Sequence, residues 1–139
     1  MIYNNIDING KIYDFKSSFL ALAYYQDAKG EEFEMFKENP QYDEELDCEK
    51  KGLDSNGNTQ MKINSYINLM DMMYCSIQAA CIEKREMFDL ELMEYYRECS
   101  LDIDYGTKLI KALYKEFLNE ELPEPSDEEN NGEELKKNT

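Results

Sequence analysis

The chain predicts an α+β fold, a mainly helical single domain opened by a β-hairpin. Three observations carry this. Two short alternating segments, Ile2 to Ile8 and Lys11 to Phe15, flank the dipeptide Asn9-Gly10. Apolar residues then recur at three- and four-residue steps in about four later segments, the signature of amphipathic helices. The length of 139 residues is one domain's worth, enough to bury a single core without disulfide staples.

Asn-Gly between alternating runs is the strongest short-range hairpin signal, because both residues tolerate the positive φ of a type I′ turn whose twist matches the flanking strands. The first helix is expected from Phe19 to Ala28, closed by Gly30. From Glu31 the chain changes character. Between Glu31 and Asp54 stand ten acidic and three basic residues, interrupted by Pro40, and the stretch 31–60 is expected to be an exposed acidic loop insertion. Phe33, Met35 and Phe36 are placed in a short helical turn laid on the core. The segment DSNGNTQ mimics the alternating oxygen ligands of a calcium loop, Asp54, Asn56, Asn58 and Gln60. The sixth loop position is Thr59 where glycine is required, and the twelfth is Ser65 where a bidentate glutamate is required, so calcium is not expected there.

The longest helix is expected from about Ser65 to Ile82, capped by Asn64 or Ser65. Ile63, Tyr66, Ile67, Met70, Met73 and Tyr74 begin its apolar stripe, Ile77 and Cys81 continue it, and Leu69 and Met72 widen it. Only Asn68, Asp71 and Gln78 define a polar strip. A short helix capped by Asp89 follows, with Phe88, Leu92, Tyr95, Tyr96 and Cys99 on one face. The last helix, with Asp102 and Asp104 as candidate caps, sets Leu109, Ile110, Leu113, Tyr114, Phe117 and Leu118 opposite Lys108, Lys111 and Lys115. Residues 1–121 thus read as the hairpin plus helical domain. Residues 122–139, with Pro123, Pro125, six acids and two bases, read as a disordered acidic tail.

The charge narrows the function. Thirty-one acidic residues against fifteen basic ones give −16, with no histidine. Such an excess repels phosphates and lipid headgroups and favours basic partners, so neither nucleic acid nor membrane is expected as a partner. No run reaches the roughly eighteen apolar residues of a membrane span, and the N-terminus lacks the basic-then-apolar order of a signal peptide, so the protein is expected in the cytoplasm. Cys48, Cys75, Cys81 and Cys99 have no zinc or disulfide spacing and read as reduced, packed thiols. With no nucleophile beside a sequence-marked base, no phosphate loop and no metal motif, neither catalysis nor a cofactor is expected.

The opening INGKIYDFKSSFLALAYYQDAKG resembles the start of the tail assembly chaperones of long-tailed bacteriophages. Members begin with a short strand, an N-G-K-x-Y/F turn, a strand ending in F-K, and a helix ending in a-x-G-K or t-G-K. Here the matching residues are Ile8, Asn9, Gly10, Lys11, Tyr13 and Phe15, followed by Lys16, Phe19, Leu22 and Gly30. The likeness continues through INLMDMMYCSIQAAC, the final amphipathic helix and the acidic tail, and departs from the family pattern between Glu31 and Gln60. It implies a non-catalytic protein that binds in many copies along the phage tape measure protein, keeps that helical rod soluble, and is displaced as the tail tube polymerises. It further implies the bacterial host's cytoplasm. In many members a frameshifted longer form engages the tail tube protein; the acidic tail after Leu122 is where such a junction would fall, and it reads first as an ordinary solubilising terminus, while a homo-oligomer is a separate partner reading.

Candidate contact residues are Tyr24, Tyr25, Phe33 and Phe36, with core closure as the alternative reading. The methionines Met70, Met72 and Met73 read first as core and alternatively as an adaptable contact surface. Two other functional classes fit the composition: an acidic nucleic-acid mimic that inhibits a host protein, and a structural tail or connector component of the virion.

Overall fold

The computed structural model describes residues 2–119 and has the expected α+β architecture, with four helices and a small N-terminal hairpin. The first strand, β1 (Asn4–Ile8), pairs antiparallel with β2 (Lys11–Phe15) in the register Ile8 opposite Lys11 and Asn4 opposite Phe15. Asn9 and Gly10, at φ 50° and 88°, make the turn, and the Asp7 carboxylate accepts the Gly10 N–H at 2.9 Å. Alternation places Ile6, Ile8 and Phe15 on the buried face.

Helix α1 (Phe19–Lys29) starts where Ser18 accepts the Ala21 N–H and stops at Gly30, whose φ of 79° directs its N–H back to the Gln26 carbonyl. It packs along α2 (Tyr66–Glu83), the central helix, of which Leu69, Met72, Met73, Ile77, Ala79 and Ala80 are fully buried. Ser65 caps α2 by accepting the Asn68 N–H. The predicted stripe is corrected at its start, because Ile63, Tyr66 and Ile67 are exposed and the buried run begins at Leu69. Strand β2 lies on α2, and the Lys16 N–H donates to the Ser76 carbonyl at 3.1 Å.

The stretch 31–60 departs from the expected loop. It forms an arm of short strand pairs: β3 (Phe36–Glu38) with β6 (Met61–Ile63), β4 (Gln41–Asp43) with β5 (Cys48–Lys50), and a bridge between Leu53 and Thr59. Phe36 therefore sits in a strand, and Phe33 and Met35 precede it without a helical turn. The arm folds by backbone pairing and local carboxylate turns. Asp43 accepts the Glu45 and Leu46 N–H groups, and Asp54 accepts those of Asn56 and Asn58. Gly52 is required at its position, because a Cβ there would lie 2.2 Å from the Asn39 carbonyl oxygen. Buried Asn64 ties the arm to α2, donating to the Glu34 carbonyl and accepting from Ser65 N–H and Asn68 Nδ2.

Helix α3 (Leu92–Leu101) begins later than predicted. Its N-cap is Glu91 rather than Asp89, and the Tyr74 hydroxyl donates to the Leu90 carbonyl at 2.6 Å, holding the preceding residues outside the helix. Helix α4 (Tyr105–Leu118) buries Tyr105, Leu109 and Leu113 against α2 and β1, while Leu118 is exposed. Asp104 occupies its N-cap position without a side-chain cap bond. Asp102 instead accepts the Asp104 N–H and pairs with Lys108 Nζ at 2.8 Å. The boundary at 121 and the acidic tail from 122 lie outside the described residues. Among those described, no helix is long and apolar enough to cross a membrane.

Candidate functional site

The charged floor of one concave surface is built by α1 and α2. Lys29, in the last turn of α1, reaches Asp71 on α2, Nζ to Oδ2 2.5 Å, and the Tyr96 hydroxyl of α3 donates to the other oxygen of the same carboxylate. Asp71 is buried, although an isolated aspartate in an apolar helix reads from sequence as solvent-facing. The pair is what permits its burial, since an unpaired carboxylate there would carry the whole desolvation cost. The phenol of Tyr96 is pushed up by burial and by its bond to Asp71. The Cys75 thiol, one turn along α2, is pushed up to about 12 by burial and then by Asp71, which leaves it protonated and unreactive at neutral pH.

Around this floor lies a groove of about 540 Å³. Its α1 wall is Tyr24, Asp27 and Ala28; its α2 wall adds Tyr74, Cys75 and Gln78; Leu92 of α3 closes one end. The exposed lining is more apolar than polar. Its charged and amide groups are Asp27, Lys29, Asp71 and Gln78, of which Lys29 and Asp71 are paired with each other. On α1's other flank Phe19, Leu22, Ala23 and Gln26 border a smaller hollow of about 270 Å³ against Glu32 and Phe33. Phe19 is 91% exposed.

The sequence-derived candidates do not form one patch. Tyr25 is fully buried, edge-on to Phe33 at 5.1 Å, and its hydroxyl is buried with no hydrogen-bond partner. Phe33 also stacks on Phe117 at 5.0 Å, and Phe36 meets Tyr114 edge-on at 6.5 Å. These three therefore close the core against α4, as the alternative reading had it. Tyr24, on the adjacent face of α1, lines the groove. Met70, Met72 and Met73 are buried in the core, so a contact surface made of these methionines is corrected. The reason is that α2 is covered by α1, β2 and α4.

Sequence reasoning missed the Lys29–Asp71–Tyr96 set and the roles of Tyr74 and Leu92. A signal was present, since Asp71 is the one acid inside the apolar run from Leu69 to Cys81. The thiols do not assemble into a site: Cys48 is exposed on the arm, Cys75 and Cys99 are buried, and Cys81 is half-buried. Among the described residues no group of three or more histidine, cysteine or acidic side chains could hold a metal ion. Comparison with family models, with curated proteins and with solved structures found no match.

Proposed function

We propose that this chain is a non-catalytic binding protein of the tail assembly chaperone type, covering apolar segments of a phage tape measure protein during tail morphogenesis. The observation that carries the reading is a formal charge of −16 on a protein that keeps large apolar side chains in solvent. Phe19, Met93 and Ile103 are 91%, 74% and 96% exposed. Apolar surface offers contact area to an amphipathic helix, and the like charge of every copy keeps a crowded assembly dispersed. Contacts of modest strength repeated along a rod give occupancy while leaving each copy displaceable.

The resemblance of the first thirty residues to that family supports the partner, and the order of hairpin, helix and long central helix supports the same reading. The test is co-expression with a tape measure protein encoded in the same genome, reading its soluble fraction with and without this chain. The expected result is a tape measure protein that is soluble only in the presence of this chain, as one high-molecular-weight complex. A tape measure protein that is equally insoluble, or equally soluble, in both cultures overturns the proposal.

A further inference from the structure

The two flanks of α1 differ in what they can accept. On one, Phe33 is already engaged by Tyr25 and Phe117, and the hollow is small. On the other, the α2 wall runs from Asp71 to Gln78, seven residues, or about 10 Å of helix at 1.5 Å per residue. That length matches side chains at i, i+4 and i+7 of a helix laid along it, and a volume of about 540 Å³ admits such side chains but not a helical backbone, whose cylinder is about 10–12 Å wide.

The charge of the lining selects among helices. Lys29 is held by Asp71 and is not free to attract an anion. Asp27 stands exposed in the lining, with no ion-pair partner among the described residues. The net charge of −16 adds a field that repels acidic ligands and draws basic ones.

We infer that the groove between α1 and α2 takes the apolar stripe of a basic amphipathic helix, its side chains seated between Tyr24, Tyr74 and Leu92 and its lysines or arginines beside Asp27. This rests on the chaperone reading for the identity of the partner, and on the groove alone for its chemistry. Ala28 is small and exposed in the α1 wall, so a long side chain placed there would project into the groove.

The experiment uses the full chain and a labelled synthetic peptide of leucine and lysine with leucines at i, i+4 and i+7, measured by fluorescence anisotropy. A shuffled peptide of the same composition and a version with glutamate in place of lysine are measured beside it. Ala28→Arg fills the groove, and Ala23→Arg makes the same change of size and charge on the opposite flank. Circular dichroism checks that both variants fold. The expected result is a loss of about tenfold or more in affinity for Ala28→Arg and less than about twofold for Ala23→Arg, with the shuffled and acidic peptides binding weakly. Equal losses in both variants, a loss confined to Ala23→Arg, or a shuffled peptide that binds as well as the striped one overturns the assignment.

The same variants in the co-expression test separate the two claims. If wild type and Ala28→Arg both keep the tape measure protein soluble, the groove is not where that protein binds and the chaperone reading stands. If wild type fails to keep it soluble, that reading falls, and the peptide result alone decides whether the groove takes a basic helix.

Discussion

Asn9, at the tip of the N-terminal hairpin, donates its side-chain amide to the Glu98 carboxylate of α3 at 3.0 Å, and its backbone N–H to Asp102 at 2.8 Å. Eighty-nine residues separate the first pair. The turn that the sequence marks most clearly is thus also a tertiary clamp. The hairpin's other end is held in the same way, since Glu116 of α4 accepts the Ser17 N–H at 2.8 Å and the Asn4 side-chain amide.

The clamp makes stability depend on pH with a definite sign. The Asn9 side chain first, then Glu94, and Lys11 and Arg97 less, hold the Glu98 carboxyl below its ordinary range; Lys108 first, then the Asn9 backbone, do the same for Asp102. Depressed folded-state values mean stability that is complete above the unfolded carboxylate range, near pH 4, and lost as pH falls through the folded values. The chain's net charge of −16 eases over the same interval and acts oppositely, so the readout is the difference between proteins. Glu98→Gln combined with Asp102→Asn is expected to melt below wild type at pH 7, with the gap closing below about pH 4. A gap that is constant with pH contradicts the clamp.

Two buried tyrosines should respond oppositely to loss of the hydroxyl. The Tyr25 hydroxyl is buried without a partner, whereas that of Tyr95 donates to the Met70 carbonyl at 2.6 Å and meets the Tyr105 hydroxyl at 2.6 Å. Tyr25→Phe is expected to leave stability unchanged or raise it by about 1 kcal/mol, and Tyr95→Phe to lower it by about 1–3 kcal/mol, since it strands a buried acceptor. Urea unfolding of both variants checks the contrast, and equal destabilisation would contradict it.

The methionines divide into core and surface. Met72→Ala removes a fully buried side chain from the centre of α2, and a loss of about 2–5 kcal/mol is expected. Met93→Ala, at a position 74% exposed, should change stability by less than about 0.5 kcal/mol. Thermal melts of the two variants give the comparison.

Thiol chemistry reports the same burial. Cys48, exposed on β5, should be modified first by an aromatic disulfide reagent in the native protein. Cys75 and Cys99 are buried with their thiols pushed up by that burial, so they should react only on the timescale of unfolding. One fast equivalent followed by slow ones is the expected trace, and fast modification of Cys75 would contradict the closed packing of α2.

Where a backbone conformation demands a residue type, the structure was legible in the residues. Asn9-Gly10 marked the hairpin, Gly30 ended α1, the predicted bounds of α2 held within a residue, and Asp104, one of two candidate caps, stands at the start of α4, whose apolar stripe from Leu109 reaches its end at Leu118. The arm was not legible, because β3 to β6 are three residues each and mostly exposed, so no alternation of apolar and polar residues records their pairing. The start of α3 was misread because Asp89 has the chemistry of a cap, whereas the Tyr74 bond to Leu90 that delays the helix is a tertiary contact. The groove was half visible. Adjacent Tyr24 and Tyr25 had to diverge on a helix, but which one turned outward depended on where Phe33 and Phe117 lay.

The central claim is that apolar contact, not charge, holds the partner. The direct measurement is gel filtration of the co-expressed complex with a tape measure protein at about 0.1 M and then about 0.5 M salt, where the Debye length falls from about 10 Å to roughly 4 Å. The result expected is a complex that co-elutes at both concentrations. Dissociation at the higher salt, with affinity falling steeply as ions are added, would contradict the claim and point to an acidic mimic held by charge alone.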